Sequence, residues 1–284
     1  MRRLVFKYWY KDGENLIDEI EKTSLPENFV AIWSLGQASI VVKFTDIIFY
    51  FDPFLSDITD KKGISRRQFP PPFGAEQIKH ANWVLCSHNH IDHMDLETLK
   101  LIALNSPKAY FVVPLPHIRI LEDIGIDYSR IIGARAWKTI ESPAFSITPL
   151  PSAHESYDTD ENGNYLCLGY ILNLSGITLY HAGDTVETED FTDMLKRFKI
   201  DIAFLPINGA DWKRRKRGTI GNMNAREAAD VAVESNIDLV IPIHFDLFSG
   251  NSENPAYFVD YIVRTYPFQK FHIMRAGERF IYMK

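Results

Sequence analysis

Along the first 60 residues the apolar positions gather into three short β-prone runs, 29–35, 39–44 and 47–51, each closed by turn residues. That spacing predicts an antiparallel meander. Residues 66–74, with Pro70, Pro71 and Pro72, break the pattern and predict a rigid surface excursion, because proline fixes φ and removes a backbone donor. A further apolar strand is predicted at 83–87. Asp95 then has the chemistry of an N-cap, and Leu96, Leu99, Ile102 and Leu104 recur at a spacing that gives a helix one buried face. In the second half, strands are predicted at 144–150, 165–174, 177–180, 202–206 and 239–243, with a closing hairpin over 270–283. Helices intervene: Asn224 caps 225–235, and Asn254 with Pro255 starts another through Phe258, Tyr261 and Ile262. Two sheets packed face to face with helices outside account for this alternation.

Composition narrows the picture. A chain of 284 residues with 46% hydrophobic content can bury a full core, and no long polar linker divides it. It reads as a single domain over 1–284 with an N-terminal extension, 1–27, packing on it. The aromatic cluster Phe6, Tyr8, Trp9 and Tyr10 in that extension reads as a packing segment against the domain or a neighbouring subunit in preference to a substrate entrance. A formal charge of −6 disfavours nucleic acid as a partner, since affinity for it rests on neutralising phosphates. Cys86 and Cys167 both sit in apolar runs and read as reduced thiols. Lys7, Lys11 and Asp12 interrupt the N-terminus too early for a signal-peptide core, and no run approaches membrane-spanning length, so a cytoplasmic location is expected.

Chemistry concentrates at one place. His88, Asn89, His90, Ile91, Asp92 and His93 supply three imidazoles and a carboxylate where the 83–87 strand opens into a loop. A lone histidine is usually a satisfied core or surface residue, but four potential ligands within six positions are a metal-binding signature. Alternation divides them, with His88 and His90 able to share one metal while Asp92 and His93 face a second. Single residues of ligand type follow three later strands: His154, Asp184 after a flexible glycine, and His244. Ligands at strand ends combine a rigid scaffold with accessible loops.

In order and spacing these segments resemble the metallo-β-lactamase superfamily of binuclear metal hydrolases. The resemblance runs from about Phe29 to the C-terminus and implies an αββα sandwich, an α+β fold of two mixed sheets with helices on the outer faces. It further implies that His88, His90 and His154 hold one metal, that Asp92, His93 and His244 hold the other, and that Asp184 bridges them. A finer similarity, to the L-ascorbate-6-phosphate lactonase branch, is carried by Leu35 to Ala38, Asp52 to Phe54, Ala153 to Glu155, Met223 to Ala225 and Pro242 to Asp246.

Two divalent ions sharing a water lower its pKa from about 15.7 toward about 7, giving a bridging hydroxide as nucleophile without a serine or cysteine. Asp92 is the expected catalytic group, orienting that hydroxide and handing its proton to the leaving alkoxide. A donor set of imidazole and carboxylate accepts manganese, zinc or iron; the lactonase resemblance implies manganese and the wider superfamily zinc. Asp52, Glu155, His181 and Asp246 are candidates for orienting the ligand imidazoles, whereas His80, His117 and His272 read as structural. For substrate, the basic run Lys213 to Arg217 reads either as a solvated loop or as a phosphate clamp. Asn208, Arg217 and Asn224 are the candidate substrate contacts, with Arg66 and Arg67 behind them. The expected activity is hydrolysis of a small, phosphorylated sugar lactone by a protein that the resemblance allows to be a homo-oligomer. The alternatives are a phosphodiesterase or ribonuclease on the same core, and a non-catalytic metal-binding protein.

Overall fold

The computed structural model describes residues 8–284, so Phe6 of the N-terminal aromatic cluster lies outside the described residues. In chain order the strands are β1 (Phe29–Gly36), β2 (Ser39–Phe44), β3 (Ile47–Phe51), β4 (Trp83–Leu85), β5 (Tyr110–Pro114), β6 (Ile131–Ala134), β7 (Ile140–Ser142), β8 (Phe145–Pro151), β9 (Leu168–Leu174), β10 (Ile177–His181), β11 (Ile202–Pro206), β12 (Leu239–Ile243), β13 (Lys270–Phe271) and β14 (Arg279–Met283). The helices are α1 (Gly13–Lys22), α2 (Ile58–Lys61), α3 (Leu96–Asn105), α4 (Ile118–Asp123), α5 (Phe191–Leu195), α6 (Trp212–Lys216), α7 (Ala225–Glu234) and α8 (Ala256–Thr265). The strands form two seven-stranded mixed sheets, ordered β14-β1-β2-β3-β4-β5-β6 and β13-β12-β11-β10-β9-β8-β7.

Strand periodicity explains the layering, because alternate residues point to opposite faces. In β1, Val30 and Ile32 turn toward the second sheet, where they join Phe49, Phe51, Tyr170, Leu172 and Phe204 between the sheets. Ala31 and Trp33 face the other way, onto Leu16 and Ile20 of α1 and Leu99 and Ile102 of α3. On the far side, Tyr180, Ala203 and Val240 pack against α5, α7 and α8 through Phe191, Ala228, Ala232 and Phe258. Three apolar layers therefore separate four structural layers, and the αββα sandwich follows. Truncating a fully buried aromatic such as Phe49 or Phe204 to alanine costs about 3–5 kcal/mol in cores of this kind.

Polar contacts lock the layers in register. Lys43 is buried and donates from Nζ to Ile20 O (3.0 Å) and Glu21 O (2.6 Å), placing its cation at the C-terminus of α1, the negative end of the helix dipole. Tyr170 Oη crosses between the sheets to donate to Cys86 O at 2.8 Å, just before the histidine motif. The segment before β1 is tied down through Trp9 Nε1 to Pro70 O (2.9 Å) and Tyr10 N to Ala276 O (2.8 Å).

Three expectations need correction. The proline segment is irregular and exposed at Arg66, Gln68 and Pro70, but it is anchored between them: Arg67 is buried and donates to Phe54 O, Ser56 O and Phe69 O, while Phe73 enters the core beneath the first sheet. Leu104 is 74% exposed, so the buried face of α3 ends at Ile102. No closing hairpin forms. β13 pairs parallel with β12 in the second sheet, whereas β14 pairs antiparallel with β1 in the first. The crossing between them is shaped by His272 Nε2 to Glu278 Oε1 (2.7 Å) and by Gly277, whose φ of +79° and closeness to the Lys11 backbone leave no room for a Cβ.

Candidate metal centre

β8, β10 and β12 run in one direction, since β8 and β10 are each antiparallel to β9 and β10 and β12 are each parallel to β11. Their C-terminal ends deliver His154, Asp184 and His244 to one rim, where the motif after β4 meets them. Two groups of donors result: His88, His90, His154 and Asp184 in one, Asp92, His93 and His244 in the other, with the ligand atoms of each group within 4.8 Å of one another. All seven candidate ligands are thus brought together. Asp184 stands between the groups, with Oδ2 3.5 Å from His154 Nε2 and Oδ1 3.2 Å from His93 Nε2 and 3.3 Å from His244 Nε2.

The turn that aims Asp184 depends on its neighbours. Gly183 has φ +61°, and a Cβ there would lie 2.5 Å from Ser87 Cβ. His181 holds the turn: Nε2–H donates to Ala38 O (2.8 Å) and Nδ1 accepts from Gly183 N (3.3 Å). It orients backbone, not a ligand imidazole. Asp52 meets the ligands directly, its Oδ2 accepting from His93 Nδ1–H and Ser87 Oγ–H, each at 2.7 Å. Ser87 Oγ in turn accepts from His88 Nδ1–H at 3.0 Å. Both imidazoles therefore hang from one carboxylate, leaving their Nε2 atoms pointed at the site. Glu155 is exposed, and Asp246 accepts from Gln37 N (2.9 Å) without touching an imidazole.

The donor set fits divalent metal. His88 Nε2, His93 Nε2 and Asp184 Oδ1 are buried without hydrogen-bond partners, a cost that coordination removes. Two ligands about 2.1 Å from a shared tetrahedral ion lie about 3.4 Å apart, and the contacts here, His90 Nδ1 to His154 Nε2 at 3.2 Å and His244 Nε2 to Asp92 Oδ2 at 3.5 Å, match that spacing. Proton affinities are divided in the same way. Burial, reinforced by the neighbouring imidazoles, pushes His88 well down and His154 down to about 4. Burial acts in that direction on His93 and His244 too, but the carboxylates of Asp184 and Asp92 overcome it and raise both. Asp92 and Asp184 are held low, because His93 and His244 outweigh the burial that would raise them.

Gln37 escaped the sequence reading as a site residue. Its carboxamide Nε2 lies 2.8 Å from both Asp92 Oδ2 and His244 Nε2, across separations of 55 and 207 residues that leave no local signal. The expected substrate contacts are dispersed. Arg217 is exposed and lines a cavity of about 460 Å³ together with Asp92, Ile91, Ser65, Thr219 and Asn251. Asn224 caps α7 by accepting from Arg226 N and Glu227 N. Asn208 is fully buried and bonded to Asn222 and Asn251. The basic run forms α6, capped by Asp211, and its Arg214 donates inward to the Asn208 and Gly209 carbonyls. Arg67 is engaged with main-chain carbonyls, as described above.

Residues 48–245 match the beta-lactamase superfamily domain. The chain belongs to the metallo-β-lactamase superfamily. Among its superfamily relatives, a metal-dependent hydrolase of Enterococcus faecalis is 27% identical over 189 residues, covering 65% of this chain and 76% of that one. Another from Pyrococcus furiosus is 28% identical over 237 residues, covering 81% and 90%. The fold superposes on the metallo hydrolase Igni18 of Ignicoccus hospitalis with a TM-score of 0.67 at 22% identity, over 90% of this chain and 99% of that structure. An isothiocyanate hydrolase from Delia radicum gut bacteria superposes with a TM-score of 0.70 at 15% identity, over 89% of this chain and 99% of that structure. Among the described residues no helix is long and apolar enough to cross a membrane.

Proposed function

We propose that this protein is a metal-dependent hydrolase that opens a small, phosphorylated sugar lactone such as L-ascorbate 6-phosphate. The observation that carries the reading is the cavity in which Asp92, a member of one ligand group, shares a wall with the exposed cation Arg217. A phosphorylated substrate could meet Arg217 with its anionic end while its carbonyl lies beside the donor groups. Divalent ions held by the seven ligands supply Lewis acidity and acidify water. In this reading Asp92, kept as a carboxylate by His93 and His244, would accept a proton from the attacking water and return it to the leaving alkoxide. Thr219 and Ser65 line the same cavity and carry hydroxyl groups that a substrate could meet.

The lactone class is favoured by the segment similarities to the lactonase branch, and manganese or zinc by the oxygen and nitrogen donor set. A single hydrolase domain, a homo-oligomer and a cytoplasmic setting belong to the same proposal. The deciding experiment is ring opening of L-ascorbate 6-phosphate by manganese-loaded protein at neutral pH, beside Asp184→Asn. Turnover that vanishes in the variant supports the reading. Full metal occupancy without turnover would reject this substrate and make phosphodiesters the next class to assay.

A further inference from the structure

The cavity that carries Arg217 holds a second polar side chain, and its direction is set from behind. Asn251 lines the cavity together with Asp92 and Arg217 and is partly exposed. A carboxamide can present either a donor or an acceptor, so its orientation decides what it recognises. Arg214 removes the choice. Its guanidinium can only donate, and Nη1 lies 3.3 Å from Asn251, so the atom it meets is the oxygen, Oδ1. Asn208 Nδ2 donates to the same oxygen at 3.0 Å, and Asn208 Oδ1 accepts in turn from Asn222 Nδ2, also at 3.0 Å. Asn208 and Asn222 are buried, and Arg214 Nε is tied to Asp211 Oδ2 at 2.6 Å, so the row of three carboxamides runs in one direction. The end of Asn251 left over is Nδ2, which is not buried and has no acceptor among the described residues.

We propose that Asn251 is a specificity-determining residue whose NH2 group, beside Arg217, binds the phosphoryl group on the non-reacting end of the substrate, with Arg214 as its positioning residue; this rests on the cavity being the substrate site proposed above. A guanidinium and an NH2 group offer donors only, which suits an oxyanion and leaves a cation without a partner on that wall. Among the described residues Asp92, a member of a ligand group, is the one carboxylate lining the cavity, and the side chains of Ile64, Ile91 and Phe248 supply no hydrogen bond. Sequence gives no sign of this role, because Asn251 owes its orientation to Asn208 and Arg214, 43 and 37 residues away.

The test is calorimetric titration of the full, metal-loaded chain with glycerol 3-phosphate, compared with glycerol. Saturable binding of the phosphate alone is expected. Asn251→Asp keeps the oxygen that Asn208 and Arg214 need and replaces only the NH2 group, so the fold is retained while an anion faces the ligand. It should weaken binding by more than Asn251→Ala, for which about tenfold is expected, the scale of one hydrogen bond to a charged acceptor. Arg214→Gln frees the carboxamides to turn and should weaken binding by roughly three- to fivefold, whereas Arg214→Lys, still a donor only, should stay within about twofold of wild type. Turnover of L-ascorbate 6-phosphate by the same samples separates the two readings: no turnover with this binding pattern intact rejects that lactone and supports the phosphate contact. No saturable binding, equal binding of glycerol, indifference to Asn251→Ala as for a phosphate held by the metals alone, or equal losses in Arg214→Gln and Arg214→Lys would each overturn the assignment.

Discussion

Asp52 Oδ2 lies 2.7 Å from His93 Nδ1, and both groups are buried. The carboxylate fixes which imidazole nitrogen carries the proton and so which one faces the metal. Asp52→Ala is expected to lower metal affinity by about 10- to 100-fold, the usual consequence of removing such a partner, with the secondary structure kept. Competition against a chelator of known affinity measures it; unchanged affinity would show that packing alone orients His93.

Gln37 occupies the acceptor atoms that a cation at the second ligand group needs. Its amide hydrogens must leave Asp92 before an ion can take that oxygen, so Gln37→Ala is expected to tighten metal binding at this group by about tenfold, the scale of one hydrogen bond to a charged acceptor. Stepwise calorimetric titration separates the two binding events. Weaker second-ion binding in the variant would instead identify Gln37 as a ligand.

Gly183 combines a left-handed φ of +61° with a Cβ position 2.5 Å from Ser87. Gly183→Ala is expected to destabilise the fold by about 1–3 kcal/mol and to lower metal content, because relief of the clash moves either Asp184 or the serine that supports His88. Thermal denaturation with elemental analysis of the purified variant reports both. A stable variant with full metal would show that the turn relaxes at no cost to the site.

His80 is a test of pH dependence away from the metals. Tyr50 Oη donates to His80 Nε2 at 2.7 Å and His80 Nδ1–H donates to Glu21 at 2.9 Å. Burial lowers its affinity for a proton despite Glu21. A histidine lowered in the fold contributes stability that is complete above the unfolded value of about 6.5 and is lost as pH falls through the folded value. His80→Gln should therefore lose less stability than wild type between neutral pH and pH about 5. Urea denaturation at the two pH values decides; a steeper loss in the variant would mean that Glu21 keeps His80 charged.

Much of this was legible before any coordinates. Four potential ligands within six positions and single ligands at three later strand ends carry the metal-binding reading, and the position of Asp52 after a strand makes it a candidate partner. What local pattern did not carry was set by distant pairing. β5 and β6 are short, and they are strands because β4 offers a parallel edge to β5 and β5 in turn offers one to β6. The last segment has strand-like spacing, yet which sheet it joins depends on β1 and β12, more than two hundred residues apart in one case and about thirty in the other. The charge of the basic run was plain, but its division was not: the turn of α6 sends Arg214 inward to carbonyls and leaves Arg215 and Arg217 on separate cavities.

The divergence of β13 and β14 has a consequence for assembly. Strand β1 leaves the ribosome long before its outer neighbour β14, so β1 keeps an open edge until synthesis of the later segment is complete. Closing so long a loop is slow and leaves unpaired backbone available to other chains in the meantime. A nascent chain halted before Arg279 should therefore be the aggregation-prone species, even though every metal ligand has already emerged.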